Sequence, residues 1–402
     1  MAEPTLPLCG IRVLDAATFI AAPLCATLFA EFGAEVIKVE HPRGGDPFRR
    51  FGTPTERPDS TLAWLSEARN KASVTLDLGK AEGAALFKRL VGLSDVVCEN
   101  FRPGTMERWG LGWDELSAVN PGLIMVRISG YGQTGPYRDR PGFARIAHAV
   151  GGLAALAGMP GEAPVTPGST SLGDYLAGLF AAFGAMVALH HRGNGGGGQV
   201  IDIGLYEAVF RVLDELAPAY ARAGIVRERE GAGTRNACPH GHFPTRDSKW
   251  VAIACTTDKM FARLAEAMAR PELAGDDAFG RQERRLAARD SVIALVGAWT
   301  GSLDCDEVMA RCVAAEVPIG PLNTIADIFE DPQFAARGNL ASIEDPALGP
   351  IVVPDVLPRL LATPGRIEHL GPPLGNANDA VYRGLLGLSE EDVAALARDG
   401  VI

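Results

Sequence analysis

The feature that most constrains the fold is a strand, helix and strand in immediate succession near the start of the chain. Gly10-Ile11-Arg12-Val13-Leu14-Asp15 is a short apolar strand, residues 23–32 form an Ala- and Leu-rich helical run closed by Gly33, and residues 34–40 form a second strand. Two strands joined by one helix over about 30 residues make a βαβ unit, which obliges its strands to lie parallel. The theme recurs. Residues 73–78 are strand-like, 80–91 helical, 95–99 a strand, 113–119 helical and 123–128 a strand. Alternation at this spacing predicts an α/β protein with a doubly wound sheet.

Further along, residues 130–173 are Gly- and Pro-rich with little regular pattern, apart from a turn near Gly151. A loop region this long inside a compact domain is usually functional. An apolar helix over 175–189 follows, with Asp174 before its first residue, and residues 199–203 make another strand. The expected organisation is a large domain whose first part spans 1–205, a linker helix over 206–231 and a smaller α+β domain over 232–320. Residues 321–402 then return to the large domain and end in a tail.

A net charge of −11 leaves no overall basic face for nucleic acid or a membrane surface, although local Arg clusters can still bind a small anion. The seven cysteines include no Cys-x-x-Cys pair, which suits free thiols in a reducing, cytoplasmic setting. The N-terminus lacks the basic start and apolar core of a secretory leader. The apolar run 175–189 is shorter than the roughly 20 residues of a membrane span.

Three segments can carry chemistry. In Leu172-Gly173-Asp174-Tyr175, the Asp stands directly before a helix. It reads first as an N-cap, and a nucleophile is compatible with that, because the free N–H groups and dipole of a helix start hold a carboxylate ionised. Glu99-Asn100-Phe101-Arg102-Pro103-Gly104 follows a strand, where nucleotides bind in such sheets. Phe101 can stack on a base there, and Arg102 or Arg108 can pair with phosphate; an ordinary Pro-Gly turn is the alternative. Ser129-Gly130-Tyr131-Gly132 also follows a strand, either as a flexible loop or as a glycine-permitted approach to substrate. Phosphate-loop, dinucleotide and serine-hydrolase fingerprints are missing, and Cys238-Pro239-His240-Gly241-His242 fits no common zinc spacing, so no metal is expected.

In this order these segments resemble the family III CoA transferases, the formyl-CoA transferase or carnitine dehydratase-like family. The resemblance spans nearly the whole chain. It rests on residues 10–15, Ala22-Pro23, residues 32–40, Gly45-Asp46, Asn70-Lys71, residues 99–104, Gly130-Tyr131-Gly132 and Leu172-Gly173-Asp174. It implies a Rossmann-like large domain built from both chain ends, a small domain between them, and two identical subunits interlocked like chain links. Asp174 would be the acyl-accepting nucleophile. Phe19 and Ala21 would lie near the adenine, Leu76, Asn100, Phe101 and Arg108 around the nucleotide, and Arg43 and Arg140 near phosphate. Coenzyme A is then a co-substrate, with no permanently bound cofactor.

Two departures from formyl-CoA transferases argue against oxalate and formate: Ile20 replaces a Gln, and residues 236–242 replace a tetraglycine loop. Residues 239–247 look more like members that pair succinyl-CoA with citramalate or malate, in which His240, Arg145 or Arg246 would meet the distal carboxylate. A family racemase is the rival reading. Its His position is occupied here by Phe143, with His148 five residues later as the substitute. A non-catalytic CoA-binding protein would have no use for Asp174.

Overall fold

The computed structural model describes residues 5–168 and 170–402. The first four residues, which open the segment read above for a leader and the first domain part, lie outside the described residues. The chain forms two compact units. One contains the chain up to Leu153, Thr166–Glu215 and Ala335–Ile402; the other contains Ala154–Val165 and Leu216–Phe334.

The first unit is built on six parallel strands, β1 (Arg12–Asp15), β2 (Glu35–Glu40), β3 (Lys71–Thr75), β4 (Val96–Glu99), β5 (Ile124–Ser129) and β6 (Gln199–Gly204). Their spatial order is β3-β2-β1-β4-β5-β6, so the order reverses between β1 and β4. The inner strands are apolar runs because helices cover both faces, as parallel sheets require. The helices, in chain order, are α1 (Ala21–Glu31), α2 (Leu62–Glu67), α3 (Ala81–Val91), α4 (Thr105–Arg108), α5 (Trp113–Val119), α6 (Ala144–Val150), the single turn α7 (Leu153–Leu156), which falls mostly in the second unit, α8 (Leu172–Gly193) and α9 (Leu205–Arg211). One face of the sheet packs against α1, α6, α8 and α9 through Ala22, Phe29, Ala177, Ala181 and Val209. The other packs against α3, α5 and the C-terminal segment through Phe87, Leu90, Leu116, Tyr382 and Val401.

α8 runs for 22 residues and is longer than the sequence pattern indicated. By length and composition it could cross a membrane. Its small-residue face (Ala177, Gly178, Ala181, Ala185, Ala188) lies buried against the unit, while Leu179, Phe183, Met186 and Val187 are exposed. A Cβ on Gly178 would sit 2.6 Å from the Ala21 carbonyl oxygen, so glycine sets how closely α8 approaches α1.

Residues 130–173 are less irregular than expected, since α6 forms within them. The single linker helix expected over 206–231 is instead two helices, α9 and α10 (Leu216–Ala223). Pro218 explains the break: its ring would clash with the carbonyl of Asp214, whose φ is +39°, so no helix can run through.

In the second unit, strands β7 (His240–Pro244), β8 (Trp250–Ala254) and β9 (Ile319–Pro321) pair antiparallel. Helices cover them over a core that includes Cys238, Phe243, Phe261 and Cys312. Arg285 is fully buried there, donating to the carbonyls of Cys238, Phe279 and Gly280 and to Asp258.

Candidate active site

The carboxyl ends of β1, β4 and β5 converge where the strand order reverses, the position at which open α/β sheets bind ligands. A cleft of about 200 Å³ lies there. The segments Thr18–Ala21 after β1, Asn100–Pro103 after β4 and Ser129–Gly130 at the end of β5 line it, with Arg138, Arg140–Phe143, Asp174 and Leu205. Drug-sized ligands occupy roughly 300–1,000 Å³. The cleft therefore suits the reacting end of a larger molecule.

Buried charges hold the cleft's first wall. Asp15, at the end of β1, faces Lys71 Nζ at 2.8 Å and Lys38 Nζ at 3.5 Å, and Lys38 also pairs with Asp46 at 2.9 Å. Burial alone would raise the Asp15 pKa, but the two lysines outweigh it and hold the carboxyl below its ordinary value. Asp46 receives the Phe19 N–H at 3.0 Å, and the Lys38 ammonium donates to the Ala17 carbonyl. Phe19 sits at φ +61°, unusual for a bulky residue, with its ring edge-on to those of Phe51 and Phe143.

The β4 wall is fixed similarly. Glu99 receives the Phe101 N–H at 2.7 Å and Arg127 Nε at 2.6 Å. Burial raises its pKa to about 7 despite Arg127. The Asn100 side chain binds both backbone groups of Thr18, accepting at 2.8 Å and donating at 2.7 Å. Beside the cleft, Gly130 also packs closely on backbone: a Cβ there would meet Gly142 Cα at 2.8 Å.

Asp174 is placed differently from the N-cap reading. The helix starts at Leu172, with Ser171 in the cap position, and Asp174 is its third residue. The Asp174 N–H reaches Ser171 O at 2.8 Å. Its carboxylate lines the cleft and has no hydrogen-bond or ion-pair partner among the described residues. Burial lifts its pKa to about 6, so the helix start does not hold it below the ordinary carboxylate range. It remains ionised at neutral pH, and its higher basicity makes it the stronger nucleophile.

Of the other residues picked from the sequence, Phe19, Ile20, Ala21, Asn100, Phe101 and Arg140 line the cleft. Arg140 stacks on Tyr137, with its guanidinium carbon 3.6 Å from the ring centroid. Leu76 does not reach the cleft, being buried in the core beside α3. Arg43, Arg108 and Arg145 are exposed outside the lining, with Arg108 bonded to Thr105 Oγ1 at 2.9 Å and Arg145 within 3.4 Å of Thr166 Oγ1. His148 is buried and turned to backbone, its Nε2 receiving the Gly173 N–H at 2.9 Å. In the second unit, His240 begins β7, while Arg246 pairs with Asp304 and Glu307. Sequence reasoning did not single out Arg138, Leu205 or the Ser129 side chain. Ser129 Oγ lines the cleft region buried and without a partner, and the strand pattern alone gives no sign of that.

The model of CoA-transferase family III matches residues 8–378. The succinyl-CoA–L-malate CoA-transferase alpha subunit of Chloroflexus aurantiacus is 62% identical over 400 residues, covering 100% of this chain and 94% of that protein. The succinyl-CoA–D-citramalate CoA-transferase of the same organism is 47% identical, covering 100% and 99%. A solved CAIB/BAIF family protein from Brucella suis superposes with a TM-score of 0.85 at 32% identity, covering 95% of this chain and 100% of that one. With a match over most of its length and relatives this similar, the chain belongs to CoA-transferase family III.

Proposed function

We propose that this enzyme transfers coenzyme A from succinyl-CoA to a hydroxy-dicarboxylic acid such as malate or citramalate, with Asp174 as the nucleophile. The observation that carries the reading is the unpaired, half-buried, raised-pKa carboxylate lining the cleft at the carboxyl edge of the sheet. The substrate class rests on the two Chloroflexus relatives and on Ile20, which lines the cleft where an oxalate enzyme has Gln.

The steps balance without another reagent. The Asp174 carboxylate attacks the donor thioester carbonyl, giving a mixed anhydride and CoA thiolate. The thiolate attacks the aspartyl carbonyl, giving an aspartyl-CoA thioester and free succinate. The acceptor carboxylate displaces the thiolate, forming a second anhydride. The thiolate then attacks the acceptor's acyl carbon and returns Asp174 as carboxylate. Each tetrahedral intermediate needs donors for its oxyanion. Arg102, Arg138 and Arg140 at the cleft offer countercharge for CoA phosphate or a distal carboxylate. The racemase reading is weakened because His148 lies outside the cleft lining with Nε2 committed to backbone.

A homodimer fits the apolar outer face of α8. Phe183 is 70% exposed beside an apolar groove of about 400 Å³ lined by Leu28, Phe32, Met186 and Leu357. Light scattering at twice the chain mass, reduced by Phe183→Asp, would support it. The chemistry is tested by incubating the enzyme with succinyl-CoA, trapping with hydroxylamine and mapping peptides. A hydroxamate on the Asp174 peptide is expected; an unmodified peptide under turnover would refute the covalent route.

A further inference from the structure

We propose that His148 is a positioning residue for Asp174, acting as a side-chain cap on the helix that carries it; this rests on the nucleophile reading above. The first N–H groups of a helix have no acceptor within it. Ser171, in the cap position of α8, supplies no side-chain bond. The acceptor comes instead from another helix. His148 of α6 directs Nε2 to the Gly173 N–H at 2.9 Å, one residue before Asp174.

The chemistry of this bond is specific. Only an unprotonated Nε2 can receive an N–H, so the ring proton must reside on Nδ1. Nδ1 is buried with no partner of its own. A polar atom left in that condition opposes folding, whereas a leucine would fill the space without it. The imidazole is thus accounted for by what Nε2 does. Burial, and then the charge of Arg145, favours the neutral ring that the bond requires. The Nε2 edge of the ring also packs against the helix start: a Cβ on Gly173 would be 3.4 Å from Cδ2 and Nε2 and 3.3 Å from Val209 Cγ2.

The consequence falls on Asp174. Its carboxylate has no hydrogen-bond or ion-pair partner among the described residues, so the first turn of α8 is what aims it into the cleft. Releasing the Gly173 N–H frees that turn to shift, and a displacement of about 1 Å at a nucleophile costs on the order of a hundredfold in rate.

Two measurements on the intact enzyme test this. In a two-bond proton–nitrogen correlation of protein labelled with ¹⁵N-histidine, the signal lost in His148→Gln should show a protonated Nδ1 and a bare Nε2. A protonated Nε2 would overturn the proposal. In steady-state kinetics, His148→Leu should lower kcat by about 10- to 100-fold while KM for succinyl-CoA changes by less than about threefold. His148→Gln, whose amide oxygen can stand in for Nε2, should recover at least about tenfold of that loss. Equal impairment of the two variants, or none in either, would refute positioning. If the Leu variant fails to fold, His148→Asn, too short to reach Gly173, takes its place against Gln. Failure to trap Asp174 in the wild type would strike the nucleophile reading and leave the tautomer result standing.

Discussion

Replacing Asp174 with Asn should make the protein more stable and inactive, and the size of the gain should depend on pH. Burial moves the carboxyl from its ordinary 3.8 to about 6. At ~1.4 kcal/mol per tenfold change in the protonation ratio, ionising it in the folded protein costs at most about 3 kcal/mol. The group lines an open cleft and part of that cost is relieved by water, so about 1–2 kcal/mol is expected. The sign follows from proton binding. The folded value lies above the unfolded one, so between about pH 4 and 6 the native state holds more protons than the unfolded chain. Wild-type stability therefore falls as pH rises through that window and levels off above about pH 7. Asn carries no such dependence. Its advantage should be full near about pH 8 and about half as large near about pH 5. Urea unfolding of both proteins at one concentration and several pH values measures this directly. An Asn variant that is less stable at about pH 8, or whose advantage is flat from about pH 5 to 8, would show that an unseen partner compensates the carboxylate. The reasoning would then fail.

Three further outcomes follow from the same geometry. The kcat/KM for succinyl-CoA should fall on the acid side with an apparent pKa near about 6, because protonated Asp174 cannot attack; a flat profile down to about pH 5 would exclude it as the free nucleophile. Asp46→Asn leaves Lys38 buried with less compensation, so a loss on the order of 3 kcal/mol is expected in urea unfolding, with a raised KM from the loosened Phe19 turn. Gly178→Ala sets a Cβ 2.6 Å from the Ala21 carbonyl oxygen, and forcing α1 and α8 apart should cost about 1–3 kcal/mol, read as a lowered Tm.

The parallel sheet was legible because its strands are runs such as Val36-Ile37 and Ile124-Met125-Val126, whose apolar character survives any choice of neighbour. The sequence does not disclose where the charges inside those strands go. Lys38 and Glu40 read as ordinary polar positions of β2, yet both are buried. Their partners Asp46 and Arg49 follow the strand, and Asp15 and Lys71 meet from 56 positions apart. The start of α8 was misplaced for a related reason. Leu172 and Gly173 carry no capping side chain, and the acceptor that lets the helix begin there belongs to His148, 25 positions upstream. α6, the helix that presents His148, was itself hidden among the glycines and prolines of 130–173. Leu76, placed beside the nucleotide by the resemblance, has its side chain in the hydrophobic core.

These pairings also bear on the chemistry. At the carboxyl edge of the sheet, Asp15 has Lys71, Asp46 has Lys38, Glu40 has Arg49 and Glu99 has Arg127, each within 3 Å. Removing a partner from any such pair would expose an uncompensated charge to low dielectric. Asp174 stands in that condition already, with no cation or donor at its carboxylate among the described residues. A matched cation would return its pKa toward the ordinary range, weaken its attack on a thioester, and occupy the space into which the acyl group must come. The neighbouring charges are paired and hold the loops in place. Among the described residues lining the cleft, Asp174 is the one carboxylate and is left unpaired, as the proposed nucleophile requires.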